Sequence, residues 1–448
     1  MPARSLNQVF RLFKAGDLAA AESGCRKLVE SNPGHVPSRL LMSAILHRSG
    51  QISEALRHLQ HAAHLQRDNT DGLLDVARAM QRIGATGEAE ELLAKLDENR
   101  MDVFLAKARN HWLRGNYDAA LNLFFQAPKR WPSIPEPRDA LIRGLLRTGR
   151  FDDAAVHLDR ALEQFPRYTG LLELKIRLLL DRREPRQAIK ALQADASSID
   201  GDTSLMLLQS ALLAIHNQTS LEIGHARPGA RQARLIECFN WVQQQPGQHR
   251  WFGSSTGLLD WAADTLPVSG RIVECGVYHG LTINFLAGKL SRTIHGFDSF
   301  VGLPESWKPG ESAGSYSTGG KQPITRPNVV LHTGWFEDTL PGFAEDCDES
   351  IALLHVDCDL YSSTRTVLEY LGDFLAPGSL LVFDDFLSYA DYQDHEFRAA
   401  HEYFRTCPDA FELVGAVLLG RAVAFRKAQA KPDCQPSGRW PNGAIFRR

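Results

Sequence analysis

The chain lacks the long apolar segments and the excess of one charge that mark several protein classes. No hydrophobic run approaches the roughly 18–20 residues of a membrane-spanning helix. The first residues, MPARSLNQVFRLFKAG, lack the continuous apolar segment of a signal peptide. Over 448 residues, 50 Lys and Arg nearly balance 53 Asp and Glu, giving a formal net charge of −3. We therefore expect neither a membrane protein nor a nucleic-acid-binding protein.

Cysteine is scarce and scattered, which argues against a disulfide framework and against a paired-cysteine zinc site. None of the seven cysteines stands in a CxxC motif: Cys25, Cys238, Cys275, Cys347, Cys358, Cys407 and Cys434. They are interpreted as reduced thiols, so the sequence predicts a cytoplasmic protein. A hydrophobic fraction of 44% is ordinary for globular proteins. The length predicts two or three domains.

A repeat occupies the first half of the chain. Gly16, Gly50, Gly84, Gly115 and Gly149, followed by Arg183, stand at steps of 34, 34, 31, 34 and 34 residues. An alanine stands five positions after each of these six markers: Ala21, Ala55, Ala89, Ala120, Ala154 and Ala188. A proline stands 17 positions after three of the glycines: Pro33, Pro132 and Pro166. The glycine allows the tight turn between two helices, and the small alanine lets the two helices approach closely. The proline ends the second helix.

This period is that of tetratricopeptide repeats, which the chain resembles over about residues 4–215, or five or six helical pairs. Such repeats stack into a curved helical solenoid with a concave groove. The groove is predicted to bind a protein partner. Two alternatives are not excluded by the sequence: the array is a rigid spacer, or it is a dimerisation surface that makes the protein a homo-oligomer. Trp112, Tyr117 and Phe124 fall at helical spacing and are predicted to be core residues.

Two segments fall outside both patterns. Residues 217–250 lose the repeat rhythm and are interpreted as a linker enclosing one helix over about 231–244. Residues 428–448 are rich in Pro, Gly and basic residues, which predicts a flexible tail. The predicted domains are therefore a repeat solenoid at 1–216, the linker at 217–250, an α/β domain at 251–427 and the tail.

From residue 271 onward, short β-rich runs alternate with helical stretches, a pattern that predicts a parallel sheet covered by helices. The predicted strands are RIVECGV, TIHGFDSF, NVVLHTGWF, IALLHVD and SLLVFDD, with FELVGAVLLG and AVAFRKA as a final antiparallel pair. The fold class is thus an all-α solenoid followed by a Rossmann-like α/β domain. In such sheets, ligands bind beyond the carboxyl ends of the strands.

The first strand-to-helix turn, ECGVYHGLT, contains Gly276 and Gly280 but lacks GxGxxG. A tight turn alone would explain this spacing. Glu274 stands before the turn, and Asp298 ends the second strand. Both favour a bound nucleoside, because the Asp298 carboxylate can accept hydrogen bonds from the two ribose hydroxyls. The missing third glycine and the pair Tyr278-His279 argue against a bound pyrophosphate, and hence against a dinucleotide oxidoreductase.

Acidic residues end the fourth and fifth strands, in HVDCDLYSST and LLVFDDF. Between them, SSTRTVLEYLGDFLAPG predicts one crossover helix with Ser362 or Ser363 as N-cap and PG as terminator. A right-handed crossover brings Asp357 and the Asp384-Asp385 pair to the same edge of the sheet. Their mutual repulsion favours a hard divalent cation, Mg²⁺ above all, whereas zinc would recruit His or Cys. The alternative is that Asp384 and Asp385 merely solvate a strand end.

In order along the chain, ECGVYHG, GFDSFVGLP, GWFEDTLP, HVDCDLYSST and LLVFDDF resemble the TylF/MycF family of macrocin-type O-methyltransferases. The resemblance covers about residues 235–427. It implies a class I enzyme that uses S-adenosylmethionine and Mg²⁺ to methylate a hydroxyl of a sugar or natural-product acceptor. The repeat array lies outside it. Where relatives often have Gly-Val-Trp-Arg-Gly-Gly, this chain has GVYHGL, a departure that bears on the methionine pocket.

Carried onto this sequence, the resemblance implies specific site residues. The metal ligands would be Asp357, Asp384 and Asp385. The cosubstrate would lie against Glu274, Gly276, Tyr278, Gly280, Asp298, Ser299, Trp335 and Phe336, the last two near the adenine.

For catalysis, the implied mechanism is an in-line methyl transfer in which the cation orients the acceptor hydroxyl. Asp357 is the first candidate for the base, and Asp359 and His355 are placed on its strand face by the period of two. For His355, the residues favour a hydrogen-bonded strand histidine over a catalytic role. Tyr389 and His395 are further candidates near the acceptor.

A different class of function stays open from the sequence. In it, the protein is a tetratricopeptide adaptor whose α/β domain is catalytically degenerate and retained for assembly. The intact acidic set argues against this alternative, and a failure to bind S-adenosylmethionine would favour it.

Overall fold

The structure is a computed structural model that describes residues 5–194, 202–222, 228–266, 269–407 and 411–428. The chain divides into two compact units. One comprises Met1–Leu141 with Gly302–Ser317, and the other comprises Ile142–Val301 with Thr318–Arg448. Cys434 and nearly all of the predicted tail lie outside the described residues. Within the described part of the chain, no helix is both long enough and apolar enough to cross a membrane.

The repeat region forms helical pairs as the spacing predicts. Its helices are α1 (Leu6–Ala15), α2 (Leu18–Ser31), α3 (Val36–Arg48), α4 (Ile52–Leu65), α5 (Thr70–Arg82), α6 (Thr86–Leu93), α7 (Met101–Leu113), α8 (Tyr117–Arg130), α9 (Glu136–Arg147), α10 (Phe151–Gln164), α11 (Thr169–Asp181) and α12 (Pro185–Ala194). The five marker glycines lie between paired helices with φ of 71–86°, and Arg183 takes the same left-handed conformation at φ 66°. The six alanines that follow these positions are all fully buried. The predicted turn at the glycine position and the predicted close helix packing at the alanine position are therefore confirmed.

The first unit also contains a segment from the second half of the chain, Gly302–Ser317. A Cβ atom built at Gly50 would lie 3.5 Å from Cβ of Ser312, and one built at Gly310 would lie 3.3 Å from Nε2 of His47. The segment therefore packs directly on the repeat helices. No local sequence pattern indicates this contact.

In the second unit, the last repeats continue into the α/β region through one hydrophobic core. Helices α13 (Thr203–Asn217) and α14 (Ala230–Gln243) follow α12, and α14 confirms the helix predicted at 231–244. The core combines Leu172, Ile176 and Leu180 of α11 with side chains of α12 and α13, Phe239 of α14 and Leu418. The repeat helices nearest the sheet are thus packed as part of the same unit.

Eight strands form one sheet within the described ranges: β1 (Arg250–Phe252), β2 (Arg271–Cys275), β3 (Ile294–Asp298), β4 (Val329–Thr333), β5 (Ile351–Val356), β6 (Leu375–Phe383), β7 (Phe411–Val417) and β8 (Val423–Lys427). The strand order is β1-β7-β8-β6-β5-β2-β3-β4, and β8 runs antiparallel to both neighbours. The predicted strands are all present. Strand β1, whose three residues are too few to give a pattern, was not predicted.

Helices α15 (Ser255–Asp264), α16 (Leu281–Lys289), α17 (Phe336–Glu345), α18 (Tyr361–Leu371) and α19 (Glu396–Thr406) connect the strands. The predicted boundaries of the crossover helix, α18, are wrong at both ends. Its N-cap is Leu360, without a side-chain cap, because the chain already turns at Asp359 with φ 64°. It ends at Leu371, and the Pro377-Gly378 pair lies inside β6, because Leu375 pairs with Ile351 at the sheet.

Candidate active site

The carboxyl ends of β2, β5 and β6 meet where the strand order reverses around β2. Beyond the strand ends, the backbone N–H of Asp357 donates to the Cys275 carbonyl at 2.8 Å, and that of Asp384 to the Val356 carbonyl at 3.0 Å. These hydrogen bonds extend the sheet by one step and bring Asp357 and Asp384 side by side. The position is the one at which α/β sheets bind ligands.

Three carboxylates converge at this edge. Asp357, Asp384 and Asp385 each offer an oxygen, and these oxygens all lie within 4.8 Å of one another. Burial and the charge of Asp384 raise the pKa of Asp357 well above its ordinary value. Burial and the charge of Asp385 likewise raise the pKa of Asp384. The edge therefore concentrates negative charge on two partly exposed carboxylates, Asp357 and Asp384, and on the buried Asp385.

Two groups from elsewhere in the chain moderate this charge, and sequence reasoning missed both. Arg421, which follows β7, donates from its guanidinium to Oδ1 of Asp385. Ser255, the first residue of α15, acts to lower the pKa of Asp384 against the burial and charge that raise it. Neither residue stands in a motif, since only the folded chain brings them to Asp384 and Asp385.

Glu396, at the start of α19, was also missed. It is fully buried, and its Oε1 and Oε2 accept the backbone N–H groups of Asp359 at 3.2 Å and Asp385 at 3.1 Å. Burial, followed by the charge of Asp385, raises its pKa well above the ordinary value. Glu396 thus fixes the backbone that follows β5 and the backbone that follows β6 relative to one another.

The placement of Asp359 on a shared strand face with Asp357 is wrong. Strand β5 ends at Val356, and the chain then turns, with the N–H of Leu360 donating to the Cys358 carbonyl and Asp359 in the left-handed region. The period of two therefore stops before either aspartate. Asp359 is 8% exposed and its charge still contributes to the raised pKa of Asp357.

His355 lies inside β5 and is fully buried. Its Nδ1 is hydrogen-bonded to Oε2 of Glu274 at 2.9 Å. Its Nε2 is buried and has no hydrogen-bond partner within the described part of the chain. Burial by itself would lower the pKa of His355, but the hydrogen bond with Glu274 and the charges of Glu274 and Asp384 raise it. The raised pKa favours the protonated form of His355 in the strand that leads to Asp357.

The loop after β2 is shaped for close approach of backbones. Gly276 has φ 94°, and a Cβ atom there would lie 1.7 Å from the carbonyl oxygen of Asp357. Glu274 is fully buried and accepts from the Thr282 hydroxyl at 3.0 Å as well as from His355. Gly280, at φ 75°, is the N-cap residue of α16. The loop therefore holds its conformation without a third glycine.

Asp298 closes this loop. Its Oδ2 accepts the N–H groups of Val277 at 2.8 Å and Tyr278 at 2.7 Å, and its Oδ1 accepts that of Phe300 at 2.7 Å. A carboxylate offers about four lone-pair positions, so one position on Oδ1 is left for a ribose hydroxyl. If Asp298 is to hold both ribose hydroxyls, one loop hydrogen bond must be released or shared.

The remaining predicted cosubstrate residues border the same edge. The N–H of Gly334 donates to the Asp298 carbonyl at 3.1 Å, which places Trp335 and Phe336 just beyond β4, at the beginning of α17. Both side chains are partly exposed, as is that of Ser299, whose hydroxyl accepts from the N–H of Val301 at 3.3 Å. Past β6, the rings of Tyr389 and His395 stack with centroids 6.2 Å apart.

Two segments of the chain match known families. Residues 273–386 match a family described as a methyltransferase domain, and residues 135–160 match the tetratricopeptide repeat. The chain contains a methyltransferase domain preceded by tetratricopeptide repeats. The resemblance read from the motifs is thus confirmed for both parts, and so is the predicted fold class.

The methyltransferase domain has relatives among natural-product O-methyltransferases. It is 30% identical over 153 residues to 8-demethyl-8-(2,3-dimethoxy-alpha-L-rhamnosyl)-tetracenomycin-C 4'-O-methyltransferase of Streptomyces olivaceus, covering 28% of this chain and 55% of the relative. It is 29% identical over 163 residues to demethyldecarbamoylnovobiocin O-methyltransferase of Streptomyces niveus, covering 30% of this chain and 59% of the relative. The chain thus spans somewhat more than half the length of these relatives.

A third relative is mycinamicin III 3''-O-methyltransferase of Micromonospora griseorubida, 27% identical over 161 residues, which cover 30% of this chain and 62% of the relative.

Proposed function

We propose that the methyltransferase domain transfers the methyl group of S-adenosylmethionine to a hydroxyl of a sugar or natural-product acceptor, with Mg²⁺ at the aspartate cluster. The observation that carries the proposal is the convergence of Asp357, Asp384 and Asp385, with ligand oxygens within 4.8 Å of one another. The acceptor class is supported by relatives that are named for methylating such compounds.

The donor set fits a hard divalent cation. The three side chains offer carboxylate oxygen alone, which Mg²⁺ prefers. The raised pKa values of Asp357 and Asp384 reflect burial and mutual repulsion that a cation would relieve. When bound, Mg²⁺ would lower the pKa of the acceptor hydroxyl and fix its direction. Arg421 already neutralises part of the charge on Asp385, so the cation and the guanidinium would share that carboxylate.

The chain's own residues would position the reactants and receive the proton. Asp357 is the proposed base because, as a ligand of the cation, it would also lie beside the acceptor hydroxyl that the cation orients. The acceptor oxygen would form its bond to the methyl carbon as the sulfur–methyl bond breaks, and the hydroxyl proton would pass to Asp357. His355, held by Glu274, would stabilise the negative charge of the cluster from below.

The cosubstrate would lie along the ends of β2, β3 and β4. Gly276, Tyr278 and Gly280 shape the loop beside it, and Glu274 supports that loop from beneath. Asp298 and Ser299 would face the ribose, and Trp335 and Phe336 the adenine. Since Asp298 has one lone-pair position left, we expect it to accept one ribose hydroxyl unless the loop adjusts.

The repeat array would serve protein interaction, as the groove of such solenoids commonly does. A cytoplasmic location is a prediction from the cysteine pattern. A carrier protein or a biosynthetic partner that delivers the acceptor is the kind of partner that we propose for this groove.

The proposal is tested by calorimetric titration of S-adenosylmethionine and of Mg²⁺ into three proteins. They are the wild type, the Asp384→Ala/Asp385→Ala variant and an Asp373→Ala control. Asp373 is an exposed carboxylate at the opposite end of β6. The double variant is expected to bind the cosubstrate and lose Mg²⁺ binding, whereas the control retains both.

Equal Mg²⁺ affinity in the wild type and the double variant would refute the metal assignment. If the wild type binds no S-adenosylmethionine, the methyltransferase proposal fails as a whole. The adaptor function, with a degenerate α/β domain, would then replace it.

A further inference from the structure

A single buried carboxylate joins the two chain segments that carry the aspartate cluster. Glu396, the first residue of α19, is fully buried. Its Oε1 accepts the backbone N–H of Asp359 at 3.2 Å, and its Oε2 accepts that of Asp385 at 3.1 Å. Asp359 stands two residues after Asp357, and Asp385 is itself a member of the cluster. Each carboxylate oxygen of Glu396 thus holds one of the two segments.

The two segments lie beyond the last ladder hydrogen bond between β5 and β6. The pairing of these strands ends with Val356 of β5. One further hydrogen bond follows, from the N–H of Asp384 to the Val356 carbonyl at 3.0 Å. Asp359 and Asp385 come after this point, and the backbone at Asp359 has already turned into the left-handed region, at φ 64°. Here the carboxylate of Glu396 links the two segments where the strands no longer pair.

The neighbouring residues reinforce this contact. Phe397 follows Glu396 in α19, and its ring centroid lies 5.1 Å from that of Phe386, the residue after Asp385. Phe386 is only 1% exposed. The first turn of α19 therefore holds both the backbone of Asp385 and the side chain that follows it, while Arg421 pairs with the Asp385 carboxylate.

The place of a metal ligand follows from its backbone. An aspartate has only two side-chain torsions, so a fixed backbone leaves its carboxylate a small set of positions. The oxygens that Asp357, Asp384 and Asp385 offer lie within 4.8 Å of one another. If the two segments move apart, this distance grows and one cation no longer reaches all three carboxylates. The hydrogen bonds to Glu396 oppose that movement.

We propose that Glu396 is a positioning residue for the ion site, which holds Asp385 and the turn after Asp357 at a separation that one cation can bridge. This inference rests on the proposed function, in which these aspartates bind Mg²⁺. Glu396 acts on the backbone of the ligands and does not itself contact the cation. Groups that orient metal ligands commonly change metal affinity about 10–100-fold when they are removed.

The test measures Mg²⁺ and S-adenosylmethionine affinity by calorimetry in the full chain for the wild type, Glu396→Ala, Glu396→Gln and Ser379→Ala. Glu396→Gln keeps the side-chain length and one acceptor oxygen, and is the conservative variant. Ser379→Ala is the matched control. Ser379 of β6 is also fully buried, and its hydroxyl also joins β6 to β5 by donating to the Ile351 carbonyl at 2.5 Å. Ile351 begins β5, so this contact lies at the end of the strands away from the aspartates.

We expect Glu396→Ala to weaken Mg²⁺ binding by about tenfold or more, because both hydrogen bonds are lost. Glu396→Gln keeps one of them and should weaken binding less, by about two- to tenfold. Ser379→Ala should bind Mg²⁺ like the wild type, and every variant should keep its cosubstrate affinity. Wild-type Mg²⁺ affinity in Glu396→Ala, or an equal loss in Ser379→Ala, would overturn the inference. If Glu396→Ala does not fold, the same comparison between Glu396→Gln and Ser379→Ala decides.

Amide hydrogen exchange of the ion-free proteins separates this inference from the proposed function. Glu396→Ala should speed exchange at 357–361 and at 384–387, because the N–H groups of Asp359 and Asp385 lose their acceptor. Ser379→Ala should change neither segment. If the wild type binds no Mg²⁺, the ion's part in the proposed function fails, and exchange decides the inference. Faster exchange in both segments supports the positioning of the cluster by Glu396, and an unchanged rate in either segment overturns it.

Discussion

Glu274 of β2 and His355 of β5 stand opposite each other in the sheet register, and their fully buried side chains are joined by a 2.9 Å hydrogen bond. The other Glu274 oxygen accepts the Thr282 hydroxyl from α16 at 3.0 Å. This glutamate therefore ties two central strands and the first helix of the methyltransferase domain together, directly beneath the candidate site.

Replacing Glu274 by Gln should destabilise the domain. A glutamine offers one acceptor oxygen and one NH2 group in place of two acceptor oxygens, so either His355 or Thr282 must change from hydrogen-bond donor to acceptor in the buried interior. The free energy of unfolding should fall by about 1–3 kcal/mol, measured by denaturant unfolding. Glu345→Gln, at an exposed site on α17, should stay within about 0.5 kcal/mol. Equal stability of Glu274→Gln and the wild type would contradict this account.

Replacing Gly276 by Ala should disrupt the loop after β2. Gly276 and Gly247 have nearly the same φ, 94° and 96°, but a Cβ atom at Gly276 would lie 1.7 Å from the Asp357 carbonyl, and one at Gly247 meets nothing within 4 Å. Gly247→Ala should therefore lower the free energy of unfolding only by the cost of placing an alanine in the left-handed conformation, about 1–2 kcal/mol. Gly276→Ala should lower the thermal midpoint further and abolish cosubstrate binding. The same loss in both variants would show that the close backbone approach is not limiting.

Removing Arg421 should strengthen the response to Mg²⁺. Arg421 pairs with Asp385, so Arg421→Ala leaves that carboxylate uncompensated and should lower the ion-free stability by about 1–3 kcal/mol. Added Mg²⁺ should then raise the thermal midpoint more than it does in the wild type. Arg398→Ala is the control, since Arg398 has the same 44% side-chain exposure and pairs with Glu402. A smaller Mg²⁺ response in Arg421→Ala would mean that the guanidinium supports the cation.

The pH dependence of the free energy of unfolding should reveal the protonation of Asp181, the final residue of α11. Burial raises its pKa from an ordinary value near 3.8 to about 7, against the hydrogen bonds that it accepts. Between these values the folded chain binds more protons than the unfolded chain, so this carboxyl favours folding at low pH, and its contribution is lost as pH rises through about 7.

Asp181→Asn does not titrate and should remove this dependence. The thermal midpoint of the wild type minus that of Asp181→Asn should therefore decrease from pH 5 to pH 8. Asp152→Asn, whose carboxylate is fully exposed, should show a constant difference. A difference that grows with pH for Asp181→Asn would contradict the raised pKa.

The buried alanines of the repeats should resist larger side chains. Ala21 is fully buried in α2, whereas Ala19, in the same helix, is exposed. Ala21→Leu should destabilise the array by about 1–3 kcal/mol through overpacking, and Ala19→Leu should be nearly neutral. Circular dichroism during denaturant unfolding measures both. Similar losses would indicate a helix effect instead of close packing.

Much of the candidate site could be predicted from the sequence because its residues stand at strand ends. The run of six buried residues in β5, followed by Asp357, and the buried end of β6, followed by Asp384 and Asp385, place three acids at one edge once the sheet is parallel. The alternation of side chains along a strand gave the wrong placement for Asp359, because a strand pattern does not indicate at which residue the backbone leaves the strand.

The sequence by itself determined the repeat period, the parallel sheet and the aspartates that end its strands, since helix pairing and strand patterning depend on neighbours a few residues apart. Only the tertiary structure decided that Arg421 and Glu396 both contact Asp385, and that Asp181 reaches Gly253 across 72 residues of chain. These contacts join segments far apart in sequence, and each depends on packing that only the folded chain supplies. No local pattern records them.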